Sequence, residues 1–286
     1  MALKLILVAT DLSQRSDRAV ARAGLLARES GAALHILNVV DDELPAPIAE
    51  AEIAAAEASL KNLAAAPGTL HGLDLKVEVL AGDPWKAIVQ RADYLDADLI
   101  VMGAHRNRGI AGMFEGTTLE RVARTARHPV LRVAGPPLDA YRRPLVGLDF
   151  SDCSREAARL AHLLAPKAEV TLVHGYHVPY RALSLHTASL GGLTKAEKDA
   201  IETDLQRQID AFVAGLGTVG QPFRSVIREG APERVLAELR AEQNVDLICL
   251  GMHARSWLYN SVLGSTAHDV LADCPCDLLL APLPKR

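Results

Sequence analysis

Three absences limit what this chain of 286 residues can be. It lacks a basic excess, since 31 lysines and arginines stand against 35 acidic residues, so binding to nucleic acid through its phosphates is disfavoured. No apolar run approaches a membrane span, and the apolar start reaches Asp11 too soon for a signal peptide, so we expect a cytoplasmic protein without membrane contact. The four cysteines are too few for a disulfide framework, and we expect reduced thiols.

Two familiar nucleotide-binding motifs are also missing. There is no Gly-Lys pair and therefore no P-loop. The run from Gly215 to Gly220 matches G-x-G-x-x-G, but it follows a predicted helix and precedes a predicted strand. A dinucleotide fingerprint has the opposite context, so this run is predicted to be a loop.

Catalytic and metal-binding patterns are not found either. Nothing resembles an acyl-transfer triad, and His174, His177 and His186 lack the spacing of a metal site. The spacing of Cys274 and Cys276 is shorter than that of a C-x-x-C redox or zinc pair, which favours structural thiols. We therefore predict a binding protein without catalytic or metal-ligating residues.

What is present is a regular alternation of short apolar runs and segments with helical periodicity. In the first half, strands are predicted at 3–9, 34–40, 73–80, 98–102 and 130–134, with a helix in each interval. The third run alternates apolar and charged residues, which places it at or near a sheet edge. Strands that alternate with helices indicate an α/β fold with a doubly wound parallel sheet.

The same order of landmarks occurs twice. Gly103 and Gly116 recur 148 positions later as Gly251 and Gly264, and Asp11 recurs 138 positions later as Asp149. The sequence therefore predicts two domains, residues 1–138 and 139–286, with an insertion in the second half around residues 177–195.

Each repeat contains a glycine at the end of the fourth strand and a Gly-Ser/Thr pair at the start of the next helix. This spacing, G-x-x-G, nine residues and G-[ST], resembles that of the universal stress protein family; the second glycine is Arg106 in the first half and Ala254 in the second. The resemblance implies two tandem five-stranded parallel sheets of the adenine nucleotide alpha hydrolase-like type, each with strand order 3-2-1-4-5. It also implies a site for ATP, with or without Mg²⁺ or Mn²⁺, at the switch point of each sheet.

The residues that this resemblance assigns to the two nucleotide sites lie at the strand ends and in the glycine-containing loop. In the second half they are Asp149, Gly175, Gly251, His253, Ala254, Gly264, Ser265 and Thr266, and in the first half Asp11, Val39, Gly103, Gly116, Thr117 and Thr118. The free amides and the dipole of the helix that is predicted to start near residues 262–267 suit a phosphate group.

The sequence leaves two main hypotheses open. The first is an ATP-binding stress-response protein in which the second half is the better site, because Ala254 is small whereas Arg106 brings a long side chain into the loop. The alternative is a stress scaffold that binds no nucleotide and acts through dimerisation, as a homo-oligomer or with protein partners, and in which the fifth strands of the halves pair. Slow ATP hydrolysis is the most that we expect of any enzymatic activity.

Overall fold

The computed structural model describes residues 2–104, 117–137, 139–176, 194–217, 222–252 and 263–284. These residues form ten strands and eight helices, which alternate within each half. The first half contains β1 (Leu5–Thr10), α1 (Gln14–Ser30), β2 (Ala33–Val40), α2 (Ala46–Ala65), β3 (Leu75–Ala81), α3 (Pro84–Leu95), β4 (Leu99–Gly103), α4 (Thr118–Thr125) and β5 (Val130–Val133). The second contains β6 (Pro144–Gly147), α5 (Asp152–Leu164), β7 (Val170–Tyr176), α6 (Lys195–Ala214), β8 (Phe223–Glu229), α7 (Pro232–Gln243), β9 (Leu247–Gly251), α8 (Ser265–Asp273) and β10 (Asp277–Ala281).

All ten strands belong to one mixed sheet with the order β3-β2-β1-β4-β5-β10-β9-β6-β7-β8. The strands within each half are parallel and follow the predicted order 3-2-1-4-5. The halves join where β5 and β10 pair in antiparallel fashion, with Leu131 opposite Leu279. The two predicted five-stranded sheets are thus the halves of one continuous sheet, and the predicted pairing of the fifth strands is confirmed.

Strand burial follows position in the sheet. The central strands β4, β5, β9 and β10 are almost entirely buried. This is expected of parallel strands that helices cover on both faces. The outer strands β3 and β8 are only partly buried along their length, and the predicted edge position of the third strand is confirmed.

Helices cover both faces of the sheet, and each face has one hydrophobic core that runs across both halves. On one face α1, α2, α5 and α6 pack against the strands, with Leu60 and Ile209 among the buried residues. On the other face α3, α4, α7 and α8 contribute residues such as Leu119 and Leu239. Among the described residues, no helix is long and apolar enough to cross a lipid bilayer.

Both halves turn from their first strand into their first helix in the same way. Leu12 and Phe150 adopt left-handed backbone angles, with φ of 59° and 63°, which is unusual for residues other than glycine. The next residue, Ser13 or Ser151, caps the helix by accepting a hydrogen bond from the amide three positions on. The tight turn places Asp11 and Asp149 at the carboxyl edge of the sheet.

Two sequence predictions concern segments that the structure describes only in part. Residues 177–193 of the insertion predicted around 177–195 lie outside the described residues. His177 and His186 fall within this part. The rejected G-x-G-x-x-G run begins at the end of α6 and precedes β8, with residues 218–221 outside the described part. Its context is that predicted from the sequence.

Candidate functional site

A cavity of about 150 Å³ lies at the carboxyl edge of the second half. It opens between the ends of β6, β7 and β9 and the first turns of α7 and α8. In an open α/β sheet this edge, at the switch in winding direction, is the usual place for a ligand. The lining residues are Gly147, Leu148, Asp149, Val173, His174, Gly175, Pro232, Leu236, Leu250, Gly251, Gly264, Ser265, Thr266 and Ala267.

Most of the site residues predicted for the second half surround this one cavity. Asp149, Gly175, Gly251 and the Gly264–Thr266 segment all line it. His253 and Ala254 lie outside the described residues. The structure thus brings together residues that are up to 117 positions apart in sequence.

The first residues of α8 line the cavity. Gly264 is the N-cap of this helix, and having no side chain it provides no capping acceptor. The Gly264 amide bonds the carbonyl of Met252 at 2.9 Å, and the Gly264 carbonyl receives the first helical hydrogen bond, from His268. Within the described residues, no hydrogen bond engages the amides of Ser265, Thr266 and Ala267, and such a helix start attracts anions.

At the corresponding helix start in the first half, a carboxylate of the helix itself accepts a backbone hydrogen bond. Thr117 caps α4 by accepting a hydrogen bond from the Glu120 amide at 3.2 Å. The Glu120 carboxylate in turn accepts from the Thr117 amide at 3.0 Å, which completes a capping box. Glu120 corresponds to His268 in the repeat, so the two halves differ in charge where a phosphate would bind.

The aspartates at the ends of β1 and β6 are held by their own turns. The carboxylate of Asp149 accepts hydrogen bonds from both the amide and the hydroxyl of Ser151, at 3.0 and 2.6 Å. Asp11 accepts from the Ser13 amide at 3.1 Å. Burial acts to raise the pKa of Asp11, but hydrogen bonds from Ser13 and Ser16 outweigh it and lower that pKa. Asp11 is therefore an anion at neutral pH.

The glycines at the strand ends allow close packing of protein against protein. A Cβ atom on Gly251 would lie 2.7 Å from the Cβ of Cys153, in the first turn of α5. A Cβ on Gly103 would lie 3.0 Å from the carbonyl oxygen of Arg15, in α1. At Gly175 it would lie 3.1 Å from the carbonyl oxygen of Gly230. Gly175 and Gly251, which line the cavity, thus allow the neighbouring helices to pack closely against its strands.

One polar position next to the aspartate is used similarly in both halves. The Nδ1 atom of His174 lies 2.7 Å from the carbonyl oxygen of Leu148 at the end of β6, which the ring can satisfy as a donor. Asn38, at the equivalent place in β2, donates from Nδ2 to the Thr10 carbonyl at 2.9 Å. His174 also packs its ring on Phe150, with centroids 4.9 Å apart. The histidine therefore has a defined orientation in the cavity wall.

The site residues predicted in the first half occupy the equivalent edge of the sheet. Asp11 follows β1 and Gly103 ends β4, which are neighbouring strands. Val39 pairs with Leu80 of β3 and packs on the core. Thr117 and Thr118 form the capped start of α4, and Gly116 lies outside the described residues.

Sequence reasoning missed several residues of the cavity. Pro232 and Leu236 of α7 line it, as do Gly147 and the ring of His174. The proline in Gly230-Ala231-Pro232 is a local signal for the start of a helix, but it does not show that this start reaches the sheet edge. The Thr117-x-x-Glu120 pattern of a capping box could have been read directly from the sequence.

The fold and the position of the cavity define a tandem α/β protein of the doubly wound type. A family model described as the Universal stress protein family matches residues 3–134 and 140–282. The chain therefore belongs to the universal stress protein family and carries two such domains in tandem, as the sequence resemblance predicted. The domain boundary at 138 stays a prediction.

Individual relatives agree with this assignment. Universal stress protein MJ0531 of Methanocaldococcus jannaschii is 32% identical over 145 residues, which are 46% of this chain and 83% of that protein. A universal stress protein of Thermus aquaticus is 34% identical over 134 residues, 46% of this chain and 98% of its own length. The crystal structure of a universal stress protein from Archaeoglobus fulgidus superposes with a TM-score of 0.71 at 20% identity and covers 98% of both chains.

Proposed function

We propose that the second half of this chain binds an adenine nucleotide, with ATP as the first candidate, in the cavity at the carboxyl edge of β6, β7 and β9. The observation that carries the proposal is the uncapped start of α8, whose first residues Ser265, Thr266 and Ala267 line the cavity. Some members of the universal stress protein family bind nucleotides, which supports the same choice of ligand.

The chemistry of the cavity wall fits a nucleotide. Val173, Leu236 and Leu250 provide apolar surface on one side. The amides and hydroxyls of Ser265 and Thr266 provide donors on the other. A flat apolar base and an anionic phosphate chain need these two kinds of surface. Among the described residues, Asp149 is the carboxylate that lines the cavity, and it would be the residue to meet a Mg²⁺ or Mn²⁺ ion that arrives with the phosphates.

We propose that nucleotide binding is restricted to the second half. In the first half the Glu120 carboxylate already occupies the start of α4 through the Thr117 amide. A phosphate there would meet a negative charge and would have to displace the capping box. The two helix starts thus differ in the capping residue, Thr117 against Gly264, and at the repeat position of Glu120, which is His268 in the second half.

The decisive experiment transfers the first-half cap to the second half. His268→Glu gives α8 the pattern Ser265-x-x-Glu, so that the helix can start with Ser265 in place of Gly264 as its cap, and it adds a carboxylate at the helix start. His268 is exposed, so the substitution is compatible with the fold. We expect equilibrium dialysis with labelled ATP to show binding by the original chain, and affinity lower by about tenfold or more in the variant, as expected for a charge at a helix start.

A matched control makes the same substitution of histidine by glutamate at a position away from the cavity. His71→Glu replaces another exposed histidine, in the turn that precedes β3 of the first half. We expect this variant to bind ATP like the original chain, and both variants to keep their thermal unfolding midpoint. Undetectable binding by the original chain at millimolar ATP would contradict the proposal, as would equal binding by His268→Glu.

The scaffold hypothesis is the outcome that remains if no nucleotide binds. The pairing of β5 with β10 already joins the two halves within one chain, so this edge is covered without a second copy. Association of whole chains and binding of protein partners therefore stay predictions. Measuring the molecular mass of the protein in solution, with and without ATP, would test the association of whole chains.

A further inference from the structure

Two cysteine thiols lie in contact in the turn between α8 and β10. The Sγ atoms of Cys274 and Cys276 are 3.4 Å apart and share a hydrogen bond. Cys274 is 5% exposed, and Cys276 is partly exposed. The intervening Pro275 restricts the backbone between them. The pair is thus held together by the turn, and a small reagent can approach it from the side of Cys276.

A buried cation stands beside this pair. Arg132 of β5 is 8% exposed, and its Nη1 donates to the carbonyl oxygens of Cys274 and Cys276 at 2.8 and 3.3 Å. Within the described residues, these two carbonyls are its hydrogen-bond partners, and no carboxylate forms an ion pair with it. Since a buried charge favours an opposite charge nearby, Arg132 favours the thiolate form of the pair.

The remaining cysteines are in a different environment. Cys249 in β9 is fully buried in a hydrophobic core, and Cys153 in α5 is 2% exposed. Burial raises the pKa of the Cys249 thiol well above its usual range. In contrast, the hydrogen bond from Cys276, with help from Arg132 and Arg240, lowers the pKa of Cys274 to about 7, whereas the same contact raises that of Cys276. Reactivity towards an oxidant follows the thiolate, so it should concentrate at this pair.

We propose that Cys274 and Cys276 form a redox-active dithiol that a hydroperoxide such as H₂O₂ converts into an intrachain disulfide. The Cys274 thiolate attacks one peroxide oxygen, so that an S–O bond forms, the O–O bond breaks and hydroxide leaves. The Cys276 sulfur then attacks the resulting sulfenic acid, the S–S bond forms, the S–O bond breaks, and the thiol proton leaves with the hydroxide as water. In total, two thiols and one peroxide give one disulfide and two water molecules.

The place of this dithiol in the fold separates it from the nucleotide cavity. Cys274 ends α8, while the residues that line the cavity begin the same helix. Cys276 directly precedes Asp277 of β10, the strand that joins the halves, and Arg132 reaches the pair from the other half across that joint. The proposal therefore does not rest on nucleotide binding.

The test uses the full chain, first fully reduced and then exposed to H₂O₂. We expect the loss of two free thiols per chain, a mass decrease of two hydrogen atoms without chain dimers, and a cross-linked peptide that contains both Cys274 and Cys276. Reduction with dithiothreitol should restore all four thiols. Persistence of four thiols in the folded chain, or a link that involves another cysteine, would overturn the proposal.

Three variants assign the roles. Cys276→Ser should stop at a sulfenic acid on Cys274, which a dimedone adduct captures, because the second sulfur is absent. Cys274→Ser should react with peroxide at no more than about one tenth of the original rate, because the stabilised thiolate is lost. Cys249→Ala is the matched control and should form the disulfide like the original chain. Equal reaction rates of Cys274→Ser and the original chain would refute the role of Cys274.

Discussion

Arg22 and Asp277 form a buried ion pair, 3.2 Å from Nε to Oδ2, that ties the first helix of one half to the last strand of the other. Tyr141, in the connection between the halves, donates its hydroxyl to the same carboxylate at 2.6 Å, and the Arg22 guanidinium lies 4.1 Å from its ring centroid. The Ala134 amide completes the cluster by donating to Asp277 at 2.9 Å. The charges of Arg22 and Asp277 are therefore satisfied by groups from both halves and the connection.

Loss of one member of this cluster is expected to destabilise the whole chain. Asp277→Asn removes the negative charge and leaves the Arg22 guanidinium buried without its counter-ion. We expect the free energy of unfolding to fall by about 3–5 kcal/mol, the usual effect of breaking a buried pair. Urea denaturation, followed by circular dichroism, measures this change.

The control is an ion pair at the surface. Glu57 and Lys61 in α2 are half or more exposed, and their side chains lie 3.3 Å apart. Glu57→Gln should change the free energy of unfolding by about 1 kcal/mol or less, because solvent screens such pairs. Similar losses in the two variants would show that the Arg22–Asp277 pair does not hold the halves together.

The sequence was sufficient for the fold because periodicity and repetition are local signals. The first strand was predicted at 3–9 and lies at Leu5–Thr10, where its residues pair with β2 from Leu5 onwards. For the joint between the halves, the sequence predicted the pairing of the fifth strands but not the side-chain contacts. Arg22 and Asp277 are 255 positions apart, and their contact depends on the register of β5 and β10.

The cavity was predicted less completely than the fold. The strand-end residues Asp149 and Gly251 could be placed because the fold fixes where strands end. The contribution of α7 could not, since it depends on how tightly the β8–α7 turn packs against Gly175. The start of α8 was predicted near residues 262–267 and lies at Ser265, but the loss of capping at Gly264 became visible only in the structure.

The capping box of α4 gives a second prediction. Glu120→Ala removes the carboxylate that accepts from the Thr117 amide, so we expect the free energy of unfolding to fall by about 0.5–2 kcal/mol. Glu120→Gln is the matched control, because an amide oxygen can accept the same hydrogen bond, and it should retain most of the stability. Urea denaturation of both variants tests this. A loss in Glu120→Gln as large as in Glu120→Ala would mean that the carboxylate charge, and not the hydrogen bond, stabilises α4.

Gly251 gives a third prediction. In Gly251→Ala the new methyl group would lie 2.7 Å from the Cβ of Cys153 and 3.1 Å from the Ser154 amide nitrogen, so α5 has to move away from β9. We expect a loss of about 1–3 kcal/mol in unfolding free energy, as is usual for overpacking. Gly135→Ala is the control, since a Cβ there meets no atom within 4 Å. Equal stability of the two variants would show that the contact of α5 with Gly251 can relax freely.

The last prediction concerns pH and a histidine in the core. His162 of α5 is 4% exposed, its two ring nitrogens have no hydrogen-bond partner among the described residues, and its ring packs edge-on against Phe223. Burial lowers the pKa of His162 in the folded chain below 6.5, so as the pH falls below 6.5 the unfolded chain takes up a proton that the folded chain does not.

This difference removes stability as the pH falls, by at most about 1.4 kcal/mol per pH unit, until the folded-state pKa is reached. His162→Leu fills a similar space without a titrating group, so its free energy of unfolding should fall less steeply between pH 7 and pH 5. At pH 7 the variant should be at least as stable as the original chain, because it removes two unsatisfied ring nitrogens. Urea denaturation at several pH values measures both slopes, and parallel slopes would show that His162 is protonated equally in the folded and unfolded chain.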